Sequence, residues 1–325
     1  MDLFFQQLIN GLSLGALYAL IAVGYTVVYG IVQLINFAHG EIFMVGAFGA
    51  YATWMVMGQP AKLSVGMALG VVLPLMLVGG VVSSVVVALL TERVAYRPLR
   101  NAPRLAPLIS AIGVSVFLQE FVRLFYGWIP IYGRLPGWPD PKSAVPFPSI
   151  SGISDASIPL GGVLVQASAL FTLLALAVCT VFLWFFVNRT KTGRAMVATS
   201  QDPDTARLMG INVDRVIMAA FAVGAGLAAI AGVAHGLRYG NIDPRMGFLA
   251  GLKAFTAAVL GGIGNINGAV IGGLVLGVVE AMATTFIPGQ FGSSAWKDVW
   301  AFALLILVLV FRPQGLLGAK VVDRA

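Results

Sequence analysis

The sequence predicts an all-α, polytopic membrane protein with about eight to nine transmembrane helices, some of them broken or re-entrant. Of the 325 residues, 59% are hydrophobic and 10% are charged, whereas a soluble domain carries about 25% charged residues. The mean hydropathy is +0.92, and the apolar residues form long runs instead of the alternating segments of about ten residues that are typical of a β-barrel. A water-soluble enzyme is therefore excluded.

Nine apolar runs follow one another along the chain, and most are long enough to cross a bilayer. They cover, approximately, residues 8–32, 41–57, 63–90, 107–126, 163–187, 213–236, 248–262, 266–287 and 295–311. Several contain glycine or proline, which helices in lipid tolerate better than helices in water. The chain begins Met1-Asp2 and its first basic residue is Lys62. Since a signal peptide starts with basic residues, we expect Leu8–Val32 to be a retained span.

The basic residues predict the orientation. Twelve of the 20 Lys and Arg lie in three hydrophilic segments between or after apolar runs, which is the positive-inside pattern and not a basic face for nucleic acid. These segments are 92–104, 188–215 and 312–325. We expect all three to be cytoplasmic, the last as a tail, and the Pro-, Gly- and Ser-rich segment 127–160 to be an external loop. Residues 1–325 then form a single transmembrane domain, and the side of its N-terminus depends on whether 41–57 crosses fully.

A polar segment, Gln33–Glu41, separates the first two apolar runs. Its polar side chains are Gln33, Asn36, His39 and Glu41. Polar groups at membrane depth are costly and usually face a protein interior or a water-filled cavity. One interpretation is a helix break that lines a transport pathway, as transporters use at binding sites. The other is a short interfacial turn whose hydrogen bonds are made by water.

A glycine-rich segment runs from Leu260 to Gly277. Its glycines recur at every fourth position and form a stripe without side chains, against which another helix can pack closely. They are Gly264, Gly268 and Gly272, followed by Gly273 and Gly277. The spacing is not G-x-G-x-x-G and no βαβ unit surrounds it, so dinucleotide binding is not predicted. The favoured interpretation is close helix packing, and a moving gate at the same place is an additional role that is compatible with it.

Four isolated ionisable residues lie inside apolar runs. Glu120 and Arg123 are three positions apart, so they can pair on one helix face. Lys253 and Glu280 lie on neighbouring runs and can neutralise each other across the bundle. A structural or snorkelling role is favoured for each over substrate contact. Glu280, about midway along its run, is the best functional candidate of the four.

Nothing in the sequence indicates covalent chemistry. Cys179 is the only cysteine and lies in an apolar run, which excludes an internal disulfide and a thiolate metal site. The sequence has no His–carboxylate cluster at metal spacing, no G-x-S-x-G elbow and no G-x-x-x-x-G-K-[ST] phosphate loop. We expect no catalytic residue, no metal and no cofactor. If transport is driven by ATP, the ATPase must be another polypeptide.

Six segments, taken in order, form a specific pattern. They are GLSLGALYALIAVGYTVVYGIVQLINFAHGEIFMVGAF (11–48), ERVAYRPLR (92–100), LISAIGVSVFLQ (108–119), ARLMGINVDRVI (206–217), FLAGLKAFTAAVLGGIGNINGAVIGGLVLGVVEA (248–281) and FALLILVLVFRPQGLLG (302–318). In this pattern the chain resembles the membrane permease subunits of branched-chain amino acid ABC importers, specifically the H-type component of the two-permease system. The resemblance covers nearly the whole chain and implies an ABC importer permease-like fold.

The resemblance also implies partners and a location. It implies a multi-pass protein of the bacterial inner membrane, embedded in lipid and paired with a homologous second permease. Two cytoplasmic ATPase subunits and a periplasmic amino-acid-binding protein complete the implied assembly, which moves branched-chain amino acids into the cytoplasm. Nucleic acid is not an implied partner.

The segment 201–215 is the candidate for coupling to the ATPases. ABC permeases couple through a cytoplasmic loop whose loose signature is Glu-Ala-Ala, three residues, then Gly. Here Asp204-Thr205-Ala206 precedes Arg207-Leu208-Met209 and then Gly210, with Asp-Thr in place of Glu-Ala. The resemblance therefore implies ATPase docking, whereas composition alone also fits a solvated linker. The candidate coupling residues are Asp202, Asp204, Thr205, Ala206, Arg207 and Gly210.

A branched-chain amino acid has a zwitterionic backbone and an apolar side chain, so its path needs few fixed charges, some hydrogen-bonding groups and apolar walls. The candidate path residues are Asn36, His39, Glu41, Asn265, Asn267 and Glu280. Selectivity is expected to lie mainly in the binding protein. Two alternatives stay open. One is an ABC permease for urea or short amides, and the other is an ion-coupled secondary transporter or channel that needs no ATPase.

Overall fold

The computed structural model describes residues 2–33, 36–59, 64–100, 102–103, 105–129, 133–134, 137–139, 144–160 and 162–318. Parts of the polar segment (Leu34 and Ile35), of the segments 92–104 and 127–160 and of the tail (residues 319–325) lie outside these ranges. The helices are α1 (Asp2–Val32), α2 (His39–Val56), α3 (Val65–Met67), α4 (Leu73–Thr91), α5 (Leu105–Phe125), α6 (Ala167–Arg189), α7 (Lys191–Gln201), α8 (Pro203–Leu208), α9 (Val213–Tyr239), α10 (Met246–Gly261), α11 (Ile266–Phe286) and α12 (Lys297–Phe311).

Seven helices within the described ranges are long and apolar enough to cross a membrane. One of them is continuous from Val65 to Leu99, because the π-helical segments Ala68–Val72 and Glu92–Tyr96 join α3, α4 and a final 3₁₀ turn. Two further helices, α2 and the shorter apolar α10, lie in the same bundle. The prediction of an all-α polytopic membrane protein is confirmed, and the seven candidate spans together with α2 and α10 agree with the predicted number.

Short strands gather at one end of the bundle, which we call the loop end. They are β1 (Trp128–Ile129), β2 (Gly133–Arg134), β3 (Val145–Pro146), β4 (Ser157–Leu160), β5 (Val163–Gln166) and β6 (Asn241–Ile242). The antiparallel pairs are β1–β2, β3–β6 and β4–β5. The first turns of α1 also lie here, since the Gln6 side chain donates to Leu164 O at 3.0 Å and accepts from Leu164 N at 2.9 Å.

The opposite end, which we call the basic end, is where α1, the Val65–Leu99 helix and α6 finish and α9 begins. Arg100 Nη1 pairs with Asp214 Oδ1 at 2.5 Å, and Arg97 pairs with the same carboxylate. Arg100 also pairs with Glu92, whose side chain is fully buried. These contacts join the first predicted cytoplasmic segment to the start of α9. Helix α1 runs from the loop end to the basic end, α2 runs back to the loop end, and the Val65–Leu99 helix runs to the basic end again. The first residues of α1 therefore lie at the loop end.

The bundle is built around α1 and α9. In their most apolar 18-residue stretches, 78% of α1 and 67% of α9 is buried inside the protein, against 22% of α6 and 11% of the helix that contains α12. The outer helices expose large apolar side chains such as Leu174 and Ile306. Such surfaces are stable in lipid and unstable in water. The inner helices therefore form the region where polar groups can be shielded from lipid.

The glycine stripe of α11 packs against α1 on one face. A Cβ at Gly273 would lie 2.6 Å from the Ala19 Cα, and one at Gly277 would overlap the backbone of Gly15. In turn, a Cβ at Gly15 would lie 2.7 Å from Gly273 O. The two backbones are in direct contact, which only glycine permits. The matching Gly11-x-x-x-Gly15 step of α1 is a small-residue repeat that the sequence analysis did not use.

The other glycines of the segment serve α10. A Cβ at Gly268 would overlap Gly261 O, and a Cβ at Gly272 would overlap Ala257 O, so α10 and α11 form a tight hairpin. Gly264 belongs to the turn before α11, where its φ of +92° is a conformation that favours glycine. A Cβ there would meet no described atom within 4 Å. Gly264 therefore shapes the turn and does not pack against a helix.

Candidate functional site

Four helices contribute to a charged cluster inside the bundle. Lys253 Nζ of α10 lies 2.8 Å from Glu280 Oε1 of α11 and 2.7 Å from Asp298 Oδ1 of α12. Tyr18 of α1 donates its hydroxyl proton to Glu280 Oε2 at 3.0 Å and accepts a hydrogen bond from Lys253 Nζ at 3.3 Å. Lys253 is 8% exposed and Glu280 1%. The predicted neutralisation of Lys253 by Glu280 is confirmed.

The cluster satisfies the hydrogen-bonding capacity of its buried charges. An ammonium group has three protons, and Lys253 directs them at two carboxylates and a phenol oxygen. Pairing of this kind is required, because an isolated charge in a low-dielectric interior is strongly destabilising. Tyr18 and Asp298 were missed in the sequence analysis. A lone tyrosine in an apolar run and an aspartate in the first turn of a helix give no distinctive signal.

A cavity of about 230 Å³ adjoins the charged cluster. Its polar lining comes from Tyr18, Lys253, Asp298, His235 and Tyr239. Its apolar lining comes from Leu14, Leu17, Ile21, Phe43, Met246, Leu249 and Ala250. Tyr239 ends α9 and Met246 begins α10, so the cavity extends from the charged cluster toward the loop end.

Three of the four polar side chains of the segment Gln33–Glu41 are buried, whereas Gln33 is exposed and lines a cavity at the basic end. Asn36, His39 and Glu41 are 3%, 1% and 0% exposed. Glu41 Oε1 accepts from Gln119 Nε2 at 2.8 Å and from Ser115 Oγ at 3.0 Å, both on α5. Asn36 Oδ1 accepts from the Tyr96 hydroxyl at 2.5 Å. A hydrated interfacial turn does not fit these three side chains, because protein surrounds them.

Two predicted path residues, Asn265 and Asn267, lie at the basic end beside a cavity of about 950 Å³. Asn265 Oδ1 accepts from Gly268 N at 3.1 Å and caps α11, while its Nδ2 donates to Leu317 O at 2.8 Å. Asn265 thus anchors the segment after α12. Asn267 is exposed at the cavity.

The six predicted path residues therefore occupy three separate places. Glu280 lies in the charged cluster, Asn36, His39 and Glu41 lie between α1 and α5, and the two asparagines lie at the basic end. The structure does not bring them together in one site. Helix α1 connects the three places, with Tyr18 at the charged cluster, Tyr25 against the His39 ring at 4.7 Å, and Tyr29 at the basic-end cavity.

The predicted coupling segment, residues 201–215, contains the last residue of α7, all of α8 and the first residues of α9. Asp202 caps α8: its Oδ1 accepts from Asp204 N at 2.9 Å and from Thr205 N at 3.1 Å, and its Oδ2 accepts from the Thr205 hydroxyl at 2.6 Å. These hydrogen bonds, that of the Thr205 hydroxyl first, favour the charged carboxylate and hold the pKa of Asp202 below its ordinary value. Arg207 pairs with Asp204 at 2.7 Å on the exposed surface.

One side of α8 faces the bundle and its far end faces solvent. Ala206 is 4% exposed and belongs to an apolar cluster that contains Tyr96 and Phe221. Leu208 and Met209, in contrast, are 88% and 79% exposed. Gly210 ends this element with a φ of +83°, and Ile211 N donates to Ala206 O at 3.0 Å. Two neighbouring large apolar side chains are therefore exposed on this turn, and the coupling role of the segment stays a prediction.

The fold is that of a polytopic membrane protein, with buried polar groups along its inner helices and a structured element at its basic end. Residues 7–309 match the family described as "Branched-chain amino acid transport system / permease component". The chain belongs to this family. The predicted family, membrane location and transport class are confirmed.

Individual relatives agree with this assignment. The chain is 44% identical to the high-affinity branched-chain amino acid transport system permease protein LivH of Escherichia coli (strain K12), over 99% of this chain and 97% of LivH. It is 42% identical to the protein BraD of Pseudomonas aeruginosa, whose name describes the same kind of permease, over 99% of this chain and 98% of BraD. These names describe membrane components of transport systems, and the chain is such a component.

Two solved structures match the chain at low sequence identity. One is described as PsaBC from Streptococcus pneumoniae in complex with Fab, with a TM-score of 0.48, 12% identity and coverage of 97% of this chain and 93% of that chain. The other is described as an inward-facing conformation of a putative metal-chelate type ABC transporter, with a TM-score of 0.46, 15% identity and coverage of 95% and 85%.

Proposed function

We propose that the chain is the transmembrane permease subunit of an ATP-driven importer that moves branched-chain amino acids from a periplasmic binding protein into the cytoplasm. The observation that carries the proposal is 44% identity over 99% of the chain to a permease named for high-affinity transport of these solutes. The inner helices offer apolar walls with a few buried polar groups, which suits a solute with a zwitterionic end and an aliphatic side chain.

The basic end faces the cytoplasm in this proposal. Arg97, Arg189 and Arg312 follow or end helices there, as the positive-inside rule expects. The loop end then faces outward, where the described strands of the segment 127–160 provide a surface for the binding protein. A homologous second permease completes the membrane part of the importer.

Two ATPase subunits supply the energy, and one docks on α7 and α8. Its contact surface would include Leu208 and Met209, whose apolar side chains are exposed on the capped helix. Most of the candidate coupling residues are exposed and would contact the ATPase. Ala206, in contrast, faces the bundle. A movement of α8 would pass through the apolar cluster to Tyr96 and then to Asn36, to which Tyr96 is hydrogen-bonded.

The predicted path residues take different roles in this proposal. Glu280 acts near the outer entrance and Asn267 near the inner exit, while Asn265 mainly holds the α11 cap. His39 and Glu41 are buried in this conformation, so they meet the solute only after α1, α2 and α5 move relative to one another. The bond between Tyr96 and Asn36 connects that movement to the coupling element.

The experiment is reconstitution with the proteins encoded beside the chain. A tagged chain should co-purify with a second permease and two ATPase subunits, and labelled leucine uptake should require ATP, the ATPases and the binding protein. Uptake by the chain alone that is abolished by an uncoupler while ATP is maintained would make it a secondary transporter. Competition by urea or acetamide, with no competition by isoleucine or valine, would assign the permease to the other solute class.

A further inference from the structure

The charged cluster beside the 230 Å³ cavity is not symmetric. Glu280 and Tyr18 hold the Lys253 ammonium from the inner side, where Glu280 is 1% exposed. Asp298 holds it from the outer side, and the Asp298 side chain is 44% exposed. The bond between Lys253 and Asp298 is therefore the one that a solute entering from the loop end reaches first.

The charged cluster contains one more charged group than is needed to neutralise Lys253. Lys253 and Glu280 already neutralise each other, so Asp298 leaves one surplus negative charge in the cluster. His235, whose ring packs between Phe43 and Tyr239, lines the same cavity. Its Nδ1 is buried and has no hydrogen-bond partner among the described residues. A partly exposed surplus carboxylate and a buried imidazole nitrogen without a partner in one cavity indicate a ligand with charged and hydrogen-bonding groups.

We propose that this cavity binds an amino acid as a zwitterion inserted between Lys253 and Asp298. The solute's carboxylate takes the place of Asp298 on the Lys253 ammonium, and its ammonium group pairs with the Asp298 carboxylate. Since the zwitterion has no net charge, the insertion keeps the local charge unchanged and every ionic group paired. The aliphatic side chain lies against Leu17, Ile21 and Phe43. The proposal rests on the proposed function and names where that solute is held.

Size and chemistry restrict the occupant. The cavity is smaller than the roughly 300–1,000 Å³ of sites for drug-sized ligands, so it suits a small solute. An aliphatic amine or an aliphatic carboxylate satisfies only one side of the opened ion pair and leaves the other charge unpaired. Urea and short amides have no charge to offer either side. The site therefore selects for a solute with both charges and an apolar side chain.

The test is protection of a cysteine in the cavity. Ala250→Cys, in a Cys179→Ala background, places a thiol on the cavity wall one turn from Lys253. The complete importer in membrane vesicles is labelled with a maleimide, with or without millimolar leucine. Leucine should slow the labelling, whereas 4-methylpentanoate, 3-methylbutylamine and urea should not. Asp298→Asn should raise the leucine concentration needed for protection about tenfold or more, because the ammonium group loses its partner.

Controls separate binding from folding. Ser64→Cys, at an exposed position of the loop end just before α3 and outside the surface proposed for the binding protein, should label without protection. Assembly of each variant is checked by co-elution of the ATPases. If Asp298→Asn does not assemble, it is replaced by the double variant Lys253→Met/Glu280→Gln, which removes both buried charges together. Equal protection by 4-methylpentanoate or 3-methylbutylamine, or unchanged protection in the variants, would overturn the site. An importer that takes up leucine without protection at Ala250→Cys overturns this inference alone. An unmodified importer that carries no branched-chain amino acid overturns both this inference and the proposed function.

Discussion

Replacing Gly277 with alanine should destabilise the bundle, although alanine is the better helix former. The new Cβ would overlap the backbone N and Cα of Gly15 and would lie 2.5 Å from Gly11 O. Backbone atoms cannot rotate away, so the two helices must separate. Overpacking of this kind costs about 1–3 kcal/mol, and the helix propensity of alanine returns about 0.8–1.0 kcal/mol. Since the clash involves backbone on both sides, we expect a net loss of about 1–2 kcal/mol.

Gly113 of α5 is the matched control. It is exposed, and a Cβ there would meet nothing within 4 Å among the described residues. Gly113→Ala should therefore stabilise the helix by about 0.5–1 kcal/mol. The assay is unfolding of the purified chain by a rising fraction of SDS in mixed micelles, followed by tryptophan fluorescence. The same substitution should shift the free energy of unfolding in opposite directions at the two positions. Equal effects would refute the close contact between α1 and α11.

Three further predictions concern the coupling element. Deletion of residues 202–210 should abolish co-purification of the ATPases while the chain still inserts, and normal assembly would contradict the docking assignment. Tyr96→Phe removes the hydrogen bond to Asn36 but keeps the aromatic ring. It should lower leucine uptake several-fold, while the ATP hydrolysis that the binding protein stimulates persists. A parallel loss of uptake and ATP hydrolysis would mean that this bond does not transmit the movement. The lowered pKa of Asp202 means that its cap on α8 contributes stability above the unfolded pKa and loses it as pH falls through the lower folded pKa. The measurement is the rate of pepsin cleavage at Leu208 in the unmodified chain, divided by the same rate in Asp202→Asn. This ratio should therefore stay constant near pH 4 and rise only at lower pH. A ratio that is constant at every pH would show that the carboxylate does not hold α8.

The membrane fold could be predicted because its signals are local. Long apolar runs, basic loops and few charges are enough to place helices in lipid and to orient them. The pairing of Lys253 with Glu280 was also predictable, because two opposite charges in neighbouring apolar runs have few other partners. The glycine stripe predicted close packing, and the repeat Gly11-x-x-x-Gly15 on α1 could have identified the partner helix.

The contacts between distant segments could not be predicted. Asp298 reaches Lys253 only because α12 returns beside α10, and its position in the first turn of a helix is ordinary. Likewise Glu41 is held by Ser115 and Gln119, which lie 74 and 78 positions away in the sequence. Its polarity indicated a special environment, but a single sequence does not identify which helix supplies the donors. The division of the path candidates into three places has the same cause.

The most direct test of the permease account is the accessibility of Met209 from each side of the membrane. Met209→Cys, in a Cys179→Ala background, puts a thiol on the exposed tip of the coupling element. A membrane-impermeant maleimide should label it in inside-out vesicles stripped of ATPase, should fail to label it in intact spheroplasts, and should be blocked when the ATPase subunits are added back. Labelling in intact spheroplasts, or labelling that the added ATPases do not affect, would contradict the account.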